Sequence, residues 1–291
     1  LRATSFGEVL DRIEAGEADW GWALSEEYFD PERRLAQRFG VNRSRFFVQP
    51  GWVTHGFVLN TARPLFRDNP RLRQAVNFAV DRAAMRRAGG SELQSELTDQ
   101  YLPTGFPGFR DAQIYPLQRP DLRRARELAR GNTRSGKAVL FTVASPPRLA
   151  AAQSLKRDLA RIGLAVEVVG VPRPAYFGRL GATGAYDIGF SPWAPDYTDP
   201  FAILNIKFDG RFIGSWNWGR FDDVDANRAL RHAASLDGPA RYAAYAALDS
   251  RLAREFAPMI AVEALNEATL VSARVGCITQ PFDLAAVCLK R

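Results

Sequence analysis

Two carboxylates three residues apart, Asp196 and Asp199, sit in the segment Ser-Pro-Trp-Ala-Pro-Asp-Tyr-Thr-Asp-Pro, residues 191–200. Its three prolines break a helix and keep the segment out of a central strand. The sequence therefore predicts a rigid loop that presents acid among aromatic rings. Trp193, Tyr197, Phe201, Trp216 and Trp218 crowd into 26 residues. Rings on loops line ligand pockets, where they bury area at small entropic cost, or they plug the seam between loop and core; their spacing supports both. Two roles also stand open for Asp196, ligand contact and the capping of a turn. Asp199 precedes Pro200 and is placed to cap or orient a helix.

Other combinations carry less. Residues 131–138, Gly-Asn-Thr-Arg-Ser-Gly-Lys-Ala, fall one residue short of a phosphate-binding loop, because Ala138 stands where Ser or Thr would hold magnesium. The context is also reversed: the segment follows a helix and opens a strand, so no helix-start amides face a phosphate. The two histidines, His55 and His232, lie far apart, and no HExxH, CxxC, G-x-S-x-G or well-placed G-x-G-x-x-G exists. Nothing points to an enzyme, a metal centre or a cofactor. Cys277 and Cys288 have ten residues between them, with the turn signal Gln280-Pro281. Two strands joined by that turn would bring them within disulfide range; the alternative is a pair of small buried apolar residues.

A chain of 291 residues can bury one large core or two moderate ones. Its 39 basic and 32 acidic side chains give a formal charge of +7. Only Lys137, Lys156, Lys207 and Lys290 are lysines. The arginines scatter over several predicted helices, often beside acids, as in Asp158/Arg161 and Asp249/Arg251/Arg254/Glu255. Nucleic-acid binding would cluster them on one face, so no nucleic-acid partner is expected. No run of about 18 apolar residues could span a membrane as a helix.

The elements that must hold the loop follow from periodicity. Helices are expected over 5–15, 31–39 (started by Asp30-Pro31), 70–88, 120–130, 148–162, 174–180, 223–235 and 239–256. Asn69 caps the third, Pro70 opens it, and Leu72, Ala75, Val76, Ala79, Val80 and Ala83 form one apolar stripe. Strands are expected over 18–24, 46–60, 138–144, 164–169, 186–190, 259–264, 268–272 and 285–289. The order strand 138–144, helix, strand 164–169 is a βαβ unit with a parallel pair. Residues 101–120 read as a long ordered loop, and 50–56 and 264–267 as short linkers. The class is α/β.

Residues 66–85 strongly resemble family 5 of the bacterial extracellular solute-binding proteins, which serve ABC importers. An acidic turn leads into a helix in which Arg73, Gln74, Ala75, Ala79, Asp81 and Arg82 match the family pattern. Leu10 with Gly16, Glu17 and Asp19, the segments 120–129 and 153–168, and Tyr186-Asp187 followed by Trp193, Asp196, Tyr197, Asp199 and Pro200 continue the match in order. The resemblance implies a periplasmic-binding-protein-like fold (type II, cluster C-like), with a mixed sheet and flanking helices. Residues 1–55 would form part of a first lobe, 56–265 a second lobe, and 266–291 a return to the first. The chain would be the C-terminal part of a longer protein. It also implies a non-catalytic receptor that closes its lobes around a short peptide and is read by ABC permease subunits. Such a receptor is extracytoplasmic, held at the membrane through a lipid anchor upstream of this chain, and a bridged Cys277–Cys288 would agree with export. Asp196 matches the acid that receives a peptide α-amino group. Trp193, Tyr197 and Trp216 are then candidate walls, and His55, near the inter-lobe crossing, a candidate contact. Nickel complexes, sugars and other solutes share this fold, and so does the sensor module of some transcription regulators.

Overall fold

The computed structural model describes residues 6–23, 34–89 and 93–290. The chain opens with α1 (Phe6–Glu14), β1 (Trp20–Ala23), α2 (Arg34–Phe39), β2 (Phe46–Leu59), α3 (Pro70–Ala79), α4 (Arg82–Gly89) and β3 (Ser95–Leu97). The expected irregular stretch follows. Then come α5 (Leu122–Ala129), β4 (Lys137–Val143), α6 (Pro146–Ala160), β5 (Ala165–Val171), α7 (Arg173–Thr183) and β6 (Ile188–Phe190). The last part holds α8 (Phe201–Phe208), α9 (Val224–Ala234), α10 (Gly238–Arg251), β7 (Met259–Val271), β8 (Val275–Gly276) and β9 (Cys288–Leu289). The Asp30-Pro31 helix start lies outside the described residues.

Two units make up the chain, each packed mainly upon itself. Unit 1 comprises Leu1–Gly51, Gly90–Glu96 and Leu265–Arg291; unit 2 comprises Trp52–Gly89 and Leu97–Ala264. The crossings fall at 51/52 and 264/265, and residues 90–96 join unit 1, whereas the sequence reading keeps them within 56–265. Asn266 gives the reason: its backbone amide donates to the Gln94 carbonyl at 2.7 Å and its side chain to the Leu93 carbonyl at 3.1 Å. The segments read as linkers, 50–56 and 264–267, are instead the interiors of β2 and β7. Glycine permits the close backbone approach there. A Cβ on Gly56 would lie 2.2 Å from the Ile260 carbonyl oxygen.

In unit 2 the strand order is β7-β2-β6-β4-β5. The βαβ unit forms as its periodicity predicts: β4 and β5 pair in parallel, with Leu140 opposite Val168, and α6 connects them. On the other edge of β4, β6 is also parallel, but it pairs antiparallel with β2, Phe57 opposite Phe190. The sheet is therefore mixed. Ala152, Leu155 and Leu159 of α6 are buried in one core with Leu140, Ile188 and the α3 residues Leu72, Ala75 and Val76.

The 70–88 stripe breaks. Asn69 caps α3 as expected, its side chain accepting from the Leu72 amide. Val80, however, is extended (ψ 126°), and α4 starts anew with the Asp81 carboxylate accepting from the Ala84 amide at 2.8 Å. Arg82 compensates for the break. Its fully buried guanidinium donates to the Asn77, Pro116 and Ala261 carbonyls and to Asn77 Oδ1, at 2.8–3.3 Å. Apolar spacing cannot report this, because the side chains on both sides of the break are buried.

Asp249 of α10 is a second buried titratable group. It accepts from the Tyr101 amide (3.0 Å), Gln100 Nε2 (3.1 Å) and the Leu102 amide (3.4 Å), which fixes the start of the long loop. Desolvation outweighs those bonds and pushes its carboxyl up to about 7. From about pH 4 to pH 7 the unfolded chain is then ionised while the folded chain keeps the proton. Stability from this group should fall across that window, by at most roughly 1.4 kcal/mol per pH unit, and level off above it. Urea unfolding between pH 4.5 and 8 should show this component in the native protein and not in Asp249→Asn. The same slope in both would refute the assignment.

In unit 1, β1 pairs antiparallel with β7, Trp20 opposite Val271. Ile13, Leu35, Phe46 and Leu270 make its core, and Phe47, Val271 and Val275 a smaller one. Asp19 accepts from Ser272 Oγ at 2.6 Å and from Arg274 Nε at 3.0 Å. Cys277 and Cys288 are bonded, with their Cα atoms 5.3 Å apart, beside the β8–β9 pair. Among the described residues no helix is long and apolar enough to cross a membrane.

Candidate functional site

The 191–200 loop leaves the end of β6 and is fixed at both ends within unit 2. At its start Ser191 is fully buried. Trp193 and Thr54 exchange two backbone hydrogen bonds of 2.8 Å, and the Trp193 indole donates to the Ala202 carbonyl at 2.7 Å. At its end Asp199 accepts from the Phe201 amide at 2.9 Å, the helix-entry role its position before Pro200 predicts. Arg241 of α10 grips the same carboxylate with two bonds, 2.7 and 2.8 Å. Burial raises the Asp199 pKa, but Arg241 and the Phe201 amide more than offset it and hold the group below its ordinary value.

Between these anchors the loop projects Asp196 and Tyr197. The Asp196 carboxylate is exposed and makes no hydrogen bond or ion pair with the described residues, so it caps no turn. Tyr197 is 51% exposed. Trp216 is 48% exposed and stands edge-on to Trp193, centroids 5.4 Å apart, with the Trp218 ring centroid also 5.7 Å away. Asn217 holds that segment by donating to the Asp209 and Phe221 carbonyls at 3.2 and 2.7 Å. Trp193, expected as a wall, is only 8% exposed; it acts as the support on which Trp216 rests.

His55 is 6% exposed, a position that opposes direct ligand contact. Its Nδ1 lies 3.2 Å from Glu263 Oε1. Arg148 Nη2 is 3.1 and 3.2 Å from the two ring nitrogens, and an atom equidistant from both sits over the ring face rather than in its plane. The guanidinium also lies 4.1 Å from the Phe190 ring centroid. Burial lowers the Arg148 pKa to about 10, against the raising influence of Glu263.

The sequence reading names neither Arg148 nor Trp52, which is 41% exposed and edge-on to Phe106 at 5.7 Å. Neither had a signal in the sequence: Trp52 falls in the 50–56 stretch read as a linker, and Arg148 opens a helix without belonging to a motif. Of the Gly131–Ala138 near-match, residues 131–136 form the turn between α5 and β4, and Lys137 and Ala138 open β4. Among the described residues no group of three or more His, Cys, Asp or Glu could hold a metal ion.

The mixed α/β sheet with flanking helices is of the periplasmic-binding-protein-like class. Solved structures agree in fold. Clavulanic acid biosynthesis oligopeptide binding protein 2 superposes with a TM-score of 0.83 at 24% identity, over 97% of this chain and 55% of the other. The Helicobacter pylori periplasmic binding protein DppA, in complex with the peptide STSA, gives 0.76 at 18% identity, over 99% and 56%. The chain belongs to the bacterial extracellular solute-binding proteins, family 5, whose middle-region model matches residues 7–214. This is a family of non-catalytic solute-binding proteins.

Among curated relatives, the probable di/tripeptide-binding protein 5 of Pseudomonas aeruginosa is 31% identical over 193 residues, 62% of this chain and 34% of that protein. Heme-binding protein A of Haemophilus influenzae is 25% identical over 271 residues, 90% and 47%. The chain thus spans between a third and a half of the length of these relatives.

Proposed function

We propose that this protein is the substrate-binding component of an ABC importer for short peptides and that it receives the peptide α-amino group on Asp196. The observation that carries the reading is an exposed carboxylate with no hydrogen-bond or ion-pair partner among the described residues, held on a loop anchored at both ends and flanked by exposed rings. A carboxylate and an ammonium make a charge-assisted hydrogen bond, stronger where rings exclude water. Because the prolines and the Asp199–Arg241 pair fix the loop before binding, little ordering cost remains. Tyr197 and Trp216 form the walls, and permease subunits are the partners. An extracytoplasmic location with a lipid anchor upstream fits this role.

Heme is the second reading, favoured by the match to heme-binding protein A over 90% of the chain. Exposed Trp and Tyr faces also suit a flat macrocycle. Nickel complexes, sugars and a regulator's sensor module have no observation of their own. Thermal unfolding of the protein with di- and tripeptides, sugars, nickel and hemin tests the choice, since a ligand specific to the folded state raises the melting temperature. Peptides are expected to raise it. A rise with hemin and none with peptides would replace the peptide reading.

A further inference from the structure

Trp52 of β2 is exposed to much the same extent as Trp216, yet its ring is braced. It stands edge-on to Phe106, which is buried, with the ring planes 82° apart. Phe106 sits in a stretch locked by two turns: its amide donates to the Pro103 carbonyl at 3.0 Å, and its own carbonyl accepts from the Phe109 amide at 2.9 Å. Gly108 in the same stretch has φ +82°, and a Cβ there would lie 3.2 Å from the Tyr242 carbonyl oxygen and 3.4 Å from Pro200 Cγ. The stretch that braces Trp52 therefore also packs against Pro200, at the end of the 191–200 loop.

The pleat of β2 turns Trp52 toward that loop. Thr54 and Trp193 oppose each other across an antiparallel bridge, so their side chains share one face, and Trp52, two residues before Thr54, shares it as well. Because the bridge is antiparallel, the direction from Thr54 to Trp52 is also the direction in which the loop runs from Trp193 to Asp196. Trp52 lies roughly 7 Å from Thr54 along that direction. The segments that carry the exposed rings Trp52, Tyr197 and Trp216 and their supports are 52–54, 104–109, 193–197 and 215–218. They contain one charged side chain, Asp196.

We propose that Trp52 is a further wall of the candidate site and selects peptides whose first residue carries an aromatic or large apolar side chain. The inference rests on the assignment of the peptide α-amino group to Asp196. With that carboxylate taken by the ammonium, the first side chain meets rings, and those segments hold no second charge for it. An aromatic side chain gains buried area and an edge-on or offset ring contact. A lysine or glutamate side chain loses water there without an ion-pair partner. The brace from Phe106 fixes the Trp52 ring before binding, so little ordering cost remains.

Calorimetric titration of the native protein and of Trp52→Ala with the dipeptides Phe-Ala, Ala-Ala and Lys-Ala tests this. The native protein should bind Phe-Ala roughly tenfold tighter than Ala-Ala, and Trp52→Ala should cut that ratio by about fivefold. A ratio taken within one protein does not depend on how much of the variant is folded. Trp52→Phe, which keeps a ring, should retain most of the preference. The same ratio in the native protein and in Trp52→Ala, or tighter binding of Lys-Ala than of Phe-Ala by the native protein, would overturn the role of Trp52 and leave the Asp196 assignment standing. Binding of none of the three by the native protein would overturn the peptide reading and this inference with it.

Discussion

Asp196→Ala should weaken binding of a free-amine dipeptide by roughly 10- to 100-fold, the loss expected when one partner of a charge-assisted hydrogen bond is removed. The carboxylate is exposed before binding, so solvent screening sets the lower end of that range. Asp196→Asn keeps an acceptor but loses the charge and should lose less. Since Asp196 is exposed and makes no hydrogen bond or ion pair with the described residues, the unliganded melting temperature should not move. A peptide acetylated at its N-terminus should bind the native protein about as poorly as the free-amine peptide binds Asp196→Ala. Calorimetric titration of the four combinations checks this. Retention of native affinity by Asp196→Ala would sink the assignment and move attention to Tyr197 and Trp216.

The second large effect concerns stability. Arg82→Met should lower the unfolding free energy by about 4 kcal/mol, read from urea denaturation midpoints. The methionine fills much of the volume but leaves the Asn77, Pro116 and Ala261 carbonyls buried without a donor. Burial pushes the Arg82 pKa down to about 10, so the group stays charged at neutral pH and its bonds keep charge-assisted strength. Arg82→Lys should recover only part of the loss, because one ammonium cannot span acceptors that a planar fork reaches together. A loss below about 1 kcal/mol would mean that water replaces the guanidinium.

These two residues also mark how far sequence reaches. Local rules acted on local features: Asn69 and Pro70 start α3, Asp121 caps α5 by accepting from the Arg124 amide, and the spacing in 148–162 buries one face of α6 against a parallel pair. The loop character of 191–200 and the capping role of Asp199 follow from proline and its neighbour, whose conformations are restricted whatever surrounds them. The order of motifs carried the family, because each motif is short-range and their sequence survives without any contact.

Contacts distant in the chain decided the rest. β2 and β7 read as strand pieces around linkers, since glycine and polar residues interrupt their pattern; only the backbone approach at Gly56 shows an unbroken strand. The break at Val80 is invisible in a stripe that stays buried on both sides, and it depends on the bonds of Arg82 to Ala261 and Pro116, 179 and 34 residues from that arginine. Burial separated the aromatic residues of the loop region, making Trp193 a support and Trp216 a surface. The same effect buried Lys207, one lysine among four. The sequence by itself determined which segments coil, which loop is stiff and which acid it offers. Tertiary structure alone decided which charges lose their water, because desolvation depends on everything that closes around a side chain and not on its neighbours in the chain.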